Sequence, residues 1–280
     1  MVAARVWLPL AASICALAQP ARIVSTFPSA TETLFALGAG DRVVGVSNYC
    51  RYPPAAIALP KVGSYTRPDP ERIALLRPDL VIIQKHSGAL ADRLAALNIR
   101  RIEIQIGSLA DLELMIREIG AAIGSREKAE KFAADLHSQL ESMRGANRNA
   151  RKPKVLMVVG RTPGLLTNII AAGPSTFLGE LLPIAGGVNA VTDGAIAYPH
   201  ISIEAIARMD ADVILDMSMM GSGVEEARLR EPWMQRPELT AVRGGAVFGV
   251  PSETLVTPGP RVVDAVRLIQ SRLAQVNIAR

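Results

Sequence analysis

The chain has 280 residues, 49% hydrophobic, 20% charged and 4% aromatic, with a formal charge of +5. That length buries a sizeable core in one large or two modest units, and the composition is ordinary for a soluble globular protein. The surplus Lys and Arg are scattered singly among acids, and so few aromatic rings give no base-stacking platform, which argues against nucleic-acid binding.

Residues 1–18 read as a signal peptide. Arg5 supplies a thin positive start, Val6–Ala16 an apolar run, and Ala16-Leu17-Ala18 a small-x-small cleavage signal, so cleavage is expected near Ala18. The run is too short to span a bilayer. Ile14 stands before Cys15 where a lipid-anchor signal wants a small residue, so a lipoprotein is not expected. Cleavage removes Arg5 and Cys15, lowering the charge from +5 to +4 and leaving Cys50 as a lone thiol with no internal disulfide partner. The expected role of such a thiol is that of a small buried residue.

Beyond residue 18 short apolar runs alternate with segments of helical period, the pattern of α/β units with parallel strands. Arg22–Phe27 reads as a strand. Pro28-Ser29-Ala30-Thr31-Glu32 reads as a helix start, with Ser29 as cap and Glu32 three residues on. That helix ends at Gly38-Ala39-Gly40, and Val43–Val46, Leu80–Ile83 and Arg101–Ile104 are the next strands. From Ser125 to about Arg148 the chain is charged, free of Pro, and marked by Phe132, Leu136, Leu140 and Met143 on one face. This is a long amphipathic helix of about 20 residues, or about 30 Å. Pro153 ends it and Val155–Val159 opens a second unit. The expected fold is two similar parallel-sheet α/β lobes, 19–124 and 151–280, bridged by one long α-helix over 125–150.

The two lobes carry a common segment. PERIALLRPDLVI around Glu71 and IEAIARMDADVIL around Glu204 align at an offset of 133 residues, matching Glu71 with Glu204, Ile73 with Ile206 and Asp79 with Asp212. The lobe openings echo too, Pro28-Ser29 and Gly38-Ala39-Gly40 answering Pro174-Ser175 and Ala185-Gly186-Gly187. Each repeat is a short helix feeding a buried strand. A carboxylate near a helix start is favoured by the macrodipole, which explains each glutamate alone but not why both lobes have one.

Ligands of open α/β sheets bind beyond the C-terminal strand ends. All four tyrosines fall in such loops: Tyr49 and Tyr52 (SNYCRYPP), Tyr65 (VGSYTRP) and Tyr198 (AIAYPHIS). Tyr52 is expected to pack on Pro53 and Pro54, the other three to line a pocket, where a broad apolar face with a polar tip is useful. His86 and His200 lie in the same loops. No GxSxG elbow, P-loop or HExxH is present. His86, His200, Cys50, Tyr65 and Glu253 are metal-ligand types, so a metal-dependent enzyme is the rival reading, although none has tight ligand spacing.

Across the whole chain after residue 18 the sequence resembles the class III solute-binding proteins of ABC importers, which carry cobalamin, iron-siderophores and haem. The resemblance rests on RIVSTFPSATETLFALGAGDRVVGVSNYCRYPP, LPKVGSYTRPDPERIALLRPDLVII, ISIEAIARMDADVIL and Pro260-Arg261. It is similar to the cobalamin-binding members most of all. That resemblance implies a periplasmic, non-enzymatic monomer that holds a corrinoid between its lobes, with haem or a ferric siderophore as the alternative cargo. It implies ligand contacts from Tyr49, Tyr65, Gln84, His86, Leu165, Tyr198 and Glu253. Gln84 stands where the family has an aromatic residue, Glu253 where it often has Asp, and Thr257 where it has Arg. It also gives Glu71 and Glu204 a role: one carboxylate per lobe docks on the two subunits of the permease dimer.

Overall fold

The computed structural model describes residues 19–146, 152–218, 225–251 and 253–276; the expected signal peptide and residues 147–150 of the expected bridge lie outside them. The first half runs β1 (Ile23–Ser25), α1 (Pro28–Ala36), β2 (Val43–Val46), α2 (Pro70–Leu75), β3 (Leu80–Gln84), α3 (Gly88–Ala96), β4 (Arg101–Ile104) and α4 (Leu109–Ala122). Its strands pair in parallel in the order β2-β1-β3-β4. The bridge follows as α5 (Arg126–Ala146), burying Ala129, Ala133, Leu136 and Leu140, with Phe132 and Met143 packed at the margin.

The second half comprises β5 (Lys154–Gly160), β6 (Ile169–Ala171), α6 (Phe177–Ala185), β7 (Val188–Asn189), β8 (His200–Ile201), α7 (Ile203–Met209), β9 (Val213–Asp216), α8 (Glu226–Met234), α9 (Thr240–Arg243), β10 (Val247–Gly249), α10 (Glu253–Val256) and α11 (Val262–Leu273). Four of its strands pair in parallel as β7-β5-β9-β10, the order of the first sheet strand for strand. The sheet as a whole is mixed, a departure from the all-parallel expectation. β7 covers only Lys154 and Val155 of β5, and the outer part of that edge is taken by β6 running antiparallel, with β8 antiparallel beyond it. An edge left bare would present unpaired backbone groups.

The repeat holds down to single hydrogen bonds. Asp69 caps α2 by accepting from the N–H groups of Glu71 and Arg72, and Ser202 caps α7 by accepting from Ala205. Glu71 and Glu204 then occupy the same second helical position, and Ile73 and Ile206 are buried. Both helices end on a left-handed residue, Arg77 (φ 46°) and Asp210 (φ 49°). The incoming strand's basic residue holds the freed carbonyls: Arg22 Nη2 donates to Leu76 O at 2.7 Å and Lys154 Nζ to Met209 O at 3.1 Å. Asp79 accepts from the Ala21 and Arg22 amides at 2.9 Å, as Asp212 does from Lys154 at 2.7 Å.

One expected cap is displaced. α1 starts at Pro28, with Phe27 in the N-cap position and no side-chain cap, so Ser29 lies inside the helix and buried. Proline suits the first helical turn, where its missing N–H costs nothing. Glu32 therefore closes no capping box; it is buried and turned to Arg261 at the far end of the chain.

A single apolar cluster gathers Ile23, Leu80 and Ile82 of the first sheet, Leu136 and Leu140 of the bridge, and Val155, Leu215 and Val266 of the second half. Smaller clusters lie on the other face of each sheet. The halves thus share a core and leave their cleft at the strand C-termini.

Candidate functional site

The first wall of the cleft is the long connection after β2. The Asn48 amide donates to the Gly63 carbonyl at 2.9 Å, joining the stretch that carries Tyr49 to the one that carries Tyr65. Gly63 has φ +99°, and a Cβ there would lie 2.7 Å from the Arg67 carbonyl oxygen, so only glycine permits this crossing. The outcome is an edge-to-face pair, Tyr49 against Tyr65, with ring centres 5.4 Å apart and planes at 76°. Beneath it Cys50 is buried, its thiol between Thr31 Oγ1 (3.1 Å) and Ser47 Oγ (3.2 Å), and burial pushes its pKa up. It is a packed structural residue, as expected of a lone thiol.

The opposing wall comes from the antiparallel strands that break the repeat. The Gly173 amide donates to Ala197 O at 2.8 Å and the Ala171 amide to Pro199 O at 3.1 Å, fixing the loop that presents Tyr198. Burial raises the Tyr198 phenol, which therefore stays neutral. Between the walls lies a cavity of about 430 Å³ edged by Tyr49, Tyr52, Tyr65, Gln84, Tyr198 and Glu253. Tyr49, Tyr65 and Tyr198 are 51%, 41% and 50% exposed, so each offers ring surface to the cavity.

Charges at the cleft are matched across it. Arg51 Nη1 donates to Glu253 Oε1 at 2.6 Å, so the Glu253 carboxylate, expected to meet a ligand, is already held by a base from the other half. Arg261 donates to both Glu32 oxygens, at 2.9 and 2.5 Å, and to Thr254 Oγ1 at 2.8 Å. Its guanidinium also lies 4.1 Å over the Tyr52 ring, so Tyr52 faces the cleft under a cation instead of packing only on its prolines. Burial raises the Glu32 carboxyl, partly offset by Arg261.

The remaining expected contacts fall elsewhere. His86 lines an adjoining hollow that shares Tyr65 and Gln84 with the cleft. Leu165 is not among the cleft residues: it ends a turn whose carbonyl accepts from Arg161 Nη1 at 3.0 Å, and its side chain points to solvent. That Arg161, with Asp216, forms a wholly buried ion pair (2.7 Å) which also takes the Trp233 indole N–H at 2.7 Å. His200 sits on the edge strand β8. Of the five metal-ligand types, Tyr65 shares one cavity with Glu253 and the other with His86, and among the described residues no three His, Cys, Asp or Glu side chains are grouped to hold a metal ion. No helix among them is long and apolar enough to cross a membrane. Arg51, Glu32 and Arg261 were missed as cleft residues; Arg51, two residues after Tyr49 and next to Tyr52, was the readable signal.

The chain matches the family described as periplasmic binding protein over residues 23–254. It is 28% identical over 250 residues to the vitamin B12-binding protein of Vibrio cholerae, covering 89% of this chain and 87% of that one. It is 29% identical over 256 residues to an uncharacterised ABC transporter substrate-binding lipoprotein of Bacillus subtilis, covering 89% and 78%. Among solved structures it resembles the periplasmic haem-binding protein of Roseiflexus sp. RS-1, with a TM-score of 0.79 at 26% identity, covering 90% and 97%. Two α/β lobes that share one strand order, a long helix between them and a family match through both make this chain a member of the periplasmic binding protein family, in its class III architecture.

Proposed function

We propose that the interlobe cleft captures a corrinoid, a cobalamin-like macrocycle, and that the protein hands it to the permease dimer of an ABC importer after export and cleavage near Ala18. One observation carries the reading: all four tyrosines of an aromatic-poor chain edge a single cavity, three from one half and one from the other. Opposed phenol faces suit a broad flat ring. The charged groups Arg51, Glu253 and Glu32 at the cavity are held in ion pairs, which supports a cleft that holds its cargo without transforming it. The likeness to a vitamin B12-binding protein supports the same cargo.

Haem is the second reading, favoured by the fold's likeness to a haem-binding protein. Calorimetric titration with cobalamin, cobinamide, haem and a hydroxamate siderophore separates the cases. Cobalamin or cobinamide is expected to bind one to one; silence from both ends the corrinoid version. A Soret band on haem addition, lost in Tyr65→Phe, would replace it with haem.

Glu71 and Glu204 are the proposed permease contacts. A helix that feeds a parallel strand runs against it, so the starts of α2 and α7 lie at the strand C-terminal edge, flanking the cleft. Both carboxylates are exposed there, at matched positions. The Ser202 hydroxyl and its own amide hold Glu204 below the usual carboxylate range, keeping it charged.

A further inference from the structure

We propose that the hollow lined by Arg67, His86 and Arg93 is an anion-accepting subsite, taking a phosphodiester or carboxylate arm of a ligand whose ring lies in the cleft; it rests on the function proposed above. The hollow measures about 580 Å³ and opens beside the cleft, Tyr65 and Gln84 edging both. No acidic residue lines it. The nearest acids are occupied or turned away: Asp69 is committed to the start of α2 and to Arg72, and neither Glu71 nor Asp92 reaches the hollow.

The contrast with the cleft decides the assignment. In the cleft each guanidinium is answered by a carboxylate, Arg51 by Glu253 and Arg261 by Glu32. The guanidinium groups of Arg67 and Arg93 have no hydrogen bond or ion pair among the described residues, and both residues line the same cavity. Two unanswered planar forks around a cavity free of acid match the oxygens of a phosphodiester or carboxylate, which guanidinium groups bind in two-pronged fashion. The ring would thus be recognised by the tyrosines and its charged arm by the hollow. His86 would then touch the arm and not the ring.

The test compares ligands with and without an anionic arm: cobalamin, whose nucleotide arm carries a phosphodiester, against cobinamide, which lacks that whole arm, and haem against its dimethyl ester. Arg67→Gln and Arg93→Gln are each expected to weaken the member with the anionic arm about tenfold, and to leave its partner without that arm unchanged. The loss should shrink at high salt. Arg72→Gln, on the same face but outside the hollow, is expected to change neither. The responding pair tells a phosphodiester from a carboxylate. Cobalamin or haem binding that is untouched by both substitutions, or equal losses for both members of a pair, overturns the subsite alone. No binding by any of the four overturns the cleft reading and the subsite with it. Both arginines are exposed and unpaired, so the variants should fold; unchanged melting temperatures check this.

Discussion

Burial and pairing pull the Glu32 carboxyl in opposite directions, and burial prevails, raising its pKa. A group bound more tightly to its proton in the folded state favours folding at low pH, and that contribution fades as pH rises through the folded value. Against Glu32→Gln, which cannot titrate, the wild type should lose relative stability from about its ordinary value of 4.5 upward, levelling off once the folded carboxyl is ionised. Paired denaturation curves across that range check it; a constant difference would mean that Arg261 cancels the burial cost. Asp216 is the harsher case. Asp216→Ala would strand the buried Arg161 and should cost about 3–5 kcal/mol, read as a fall in the urea midpoint. Neither pair was legible in the sequence, since Glu32 and Arg261 are 229 positions apart and single charged residues do not reveal their partners. The tyrosines were legible because a rare residue type concentrated in loops is conspicuous. Leu165, expected at the ligand from the family resemblance, lies exposed on a turn outside the cavity lining, and the sequence does not say which way such a turn faces.

At the scale of elements, the repeated helix-strand unit was legible because its caps, its buried isoleucine and its entry aspartate all recur. The bridge was legible because an apolar stripe of four residues persists through an otherwise charged segment. β6 and β8 were not, because strands of three and two residues are too short to show alternation. α1 begins two residues before the start that a Ser29 cap implies, because Pro28 itself suits the first helical turn and the sequence alone does not rank the two. The bridge is held close to α4 by Gly120: a Cβ there would fall 2.1 Å from the Ala129 methyl. Gly120→Val should force the two helices apart and cost about 1–3 kcal/mol. A melting temperature equal to the wild type would show that α4 yields without strain.

At the scale of the molecule, the halves are tied by the bridge, by a common apolar cluster and, among the described residues, by three polar contacts. These are Arg51 with Glu253, Arg261 with Glu32, and the Leu109 amide donating to Glu180 Oε2 at 2.6 Å. So many ties predict small adjustments of the cleft on loading and no wide hinge. On the proposed docking through Glu71 and Glu204, the permease reads a nearly fixed shape with one exposed carboxylate on each side. Glu71→Lys with Glu204→Lys should abolish uptake in cells while ligand affinity measured by calorimetry stays as in the wild type. Loss of ligand affinity in that double variant would move both glutamates from docking to the pocket or the fold. Exposed charges act mainly on encounter and orientation, so single reversals should lower uptake less at higher ionic strength.

The antiparallel pair β6 and β8 stands apart from the duplicated frame, bonding only to the edge of β5 and to each other. Besides Ile169, Ala171 and Ile201, which complete the core on that face, it presents Tyr198 to the cleft. A lineage could therefore revise this one appendage, and with it the choice of cargo, without redrawing the strand order, the bridging helix or the two matched glutamates. Transplanting the stretches around β6 and β8 from a relative of different preference is the corresponding laboratory act: cargo should change while the transporter that accepts it does not.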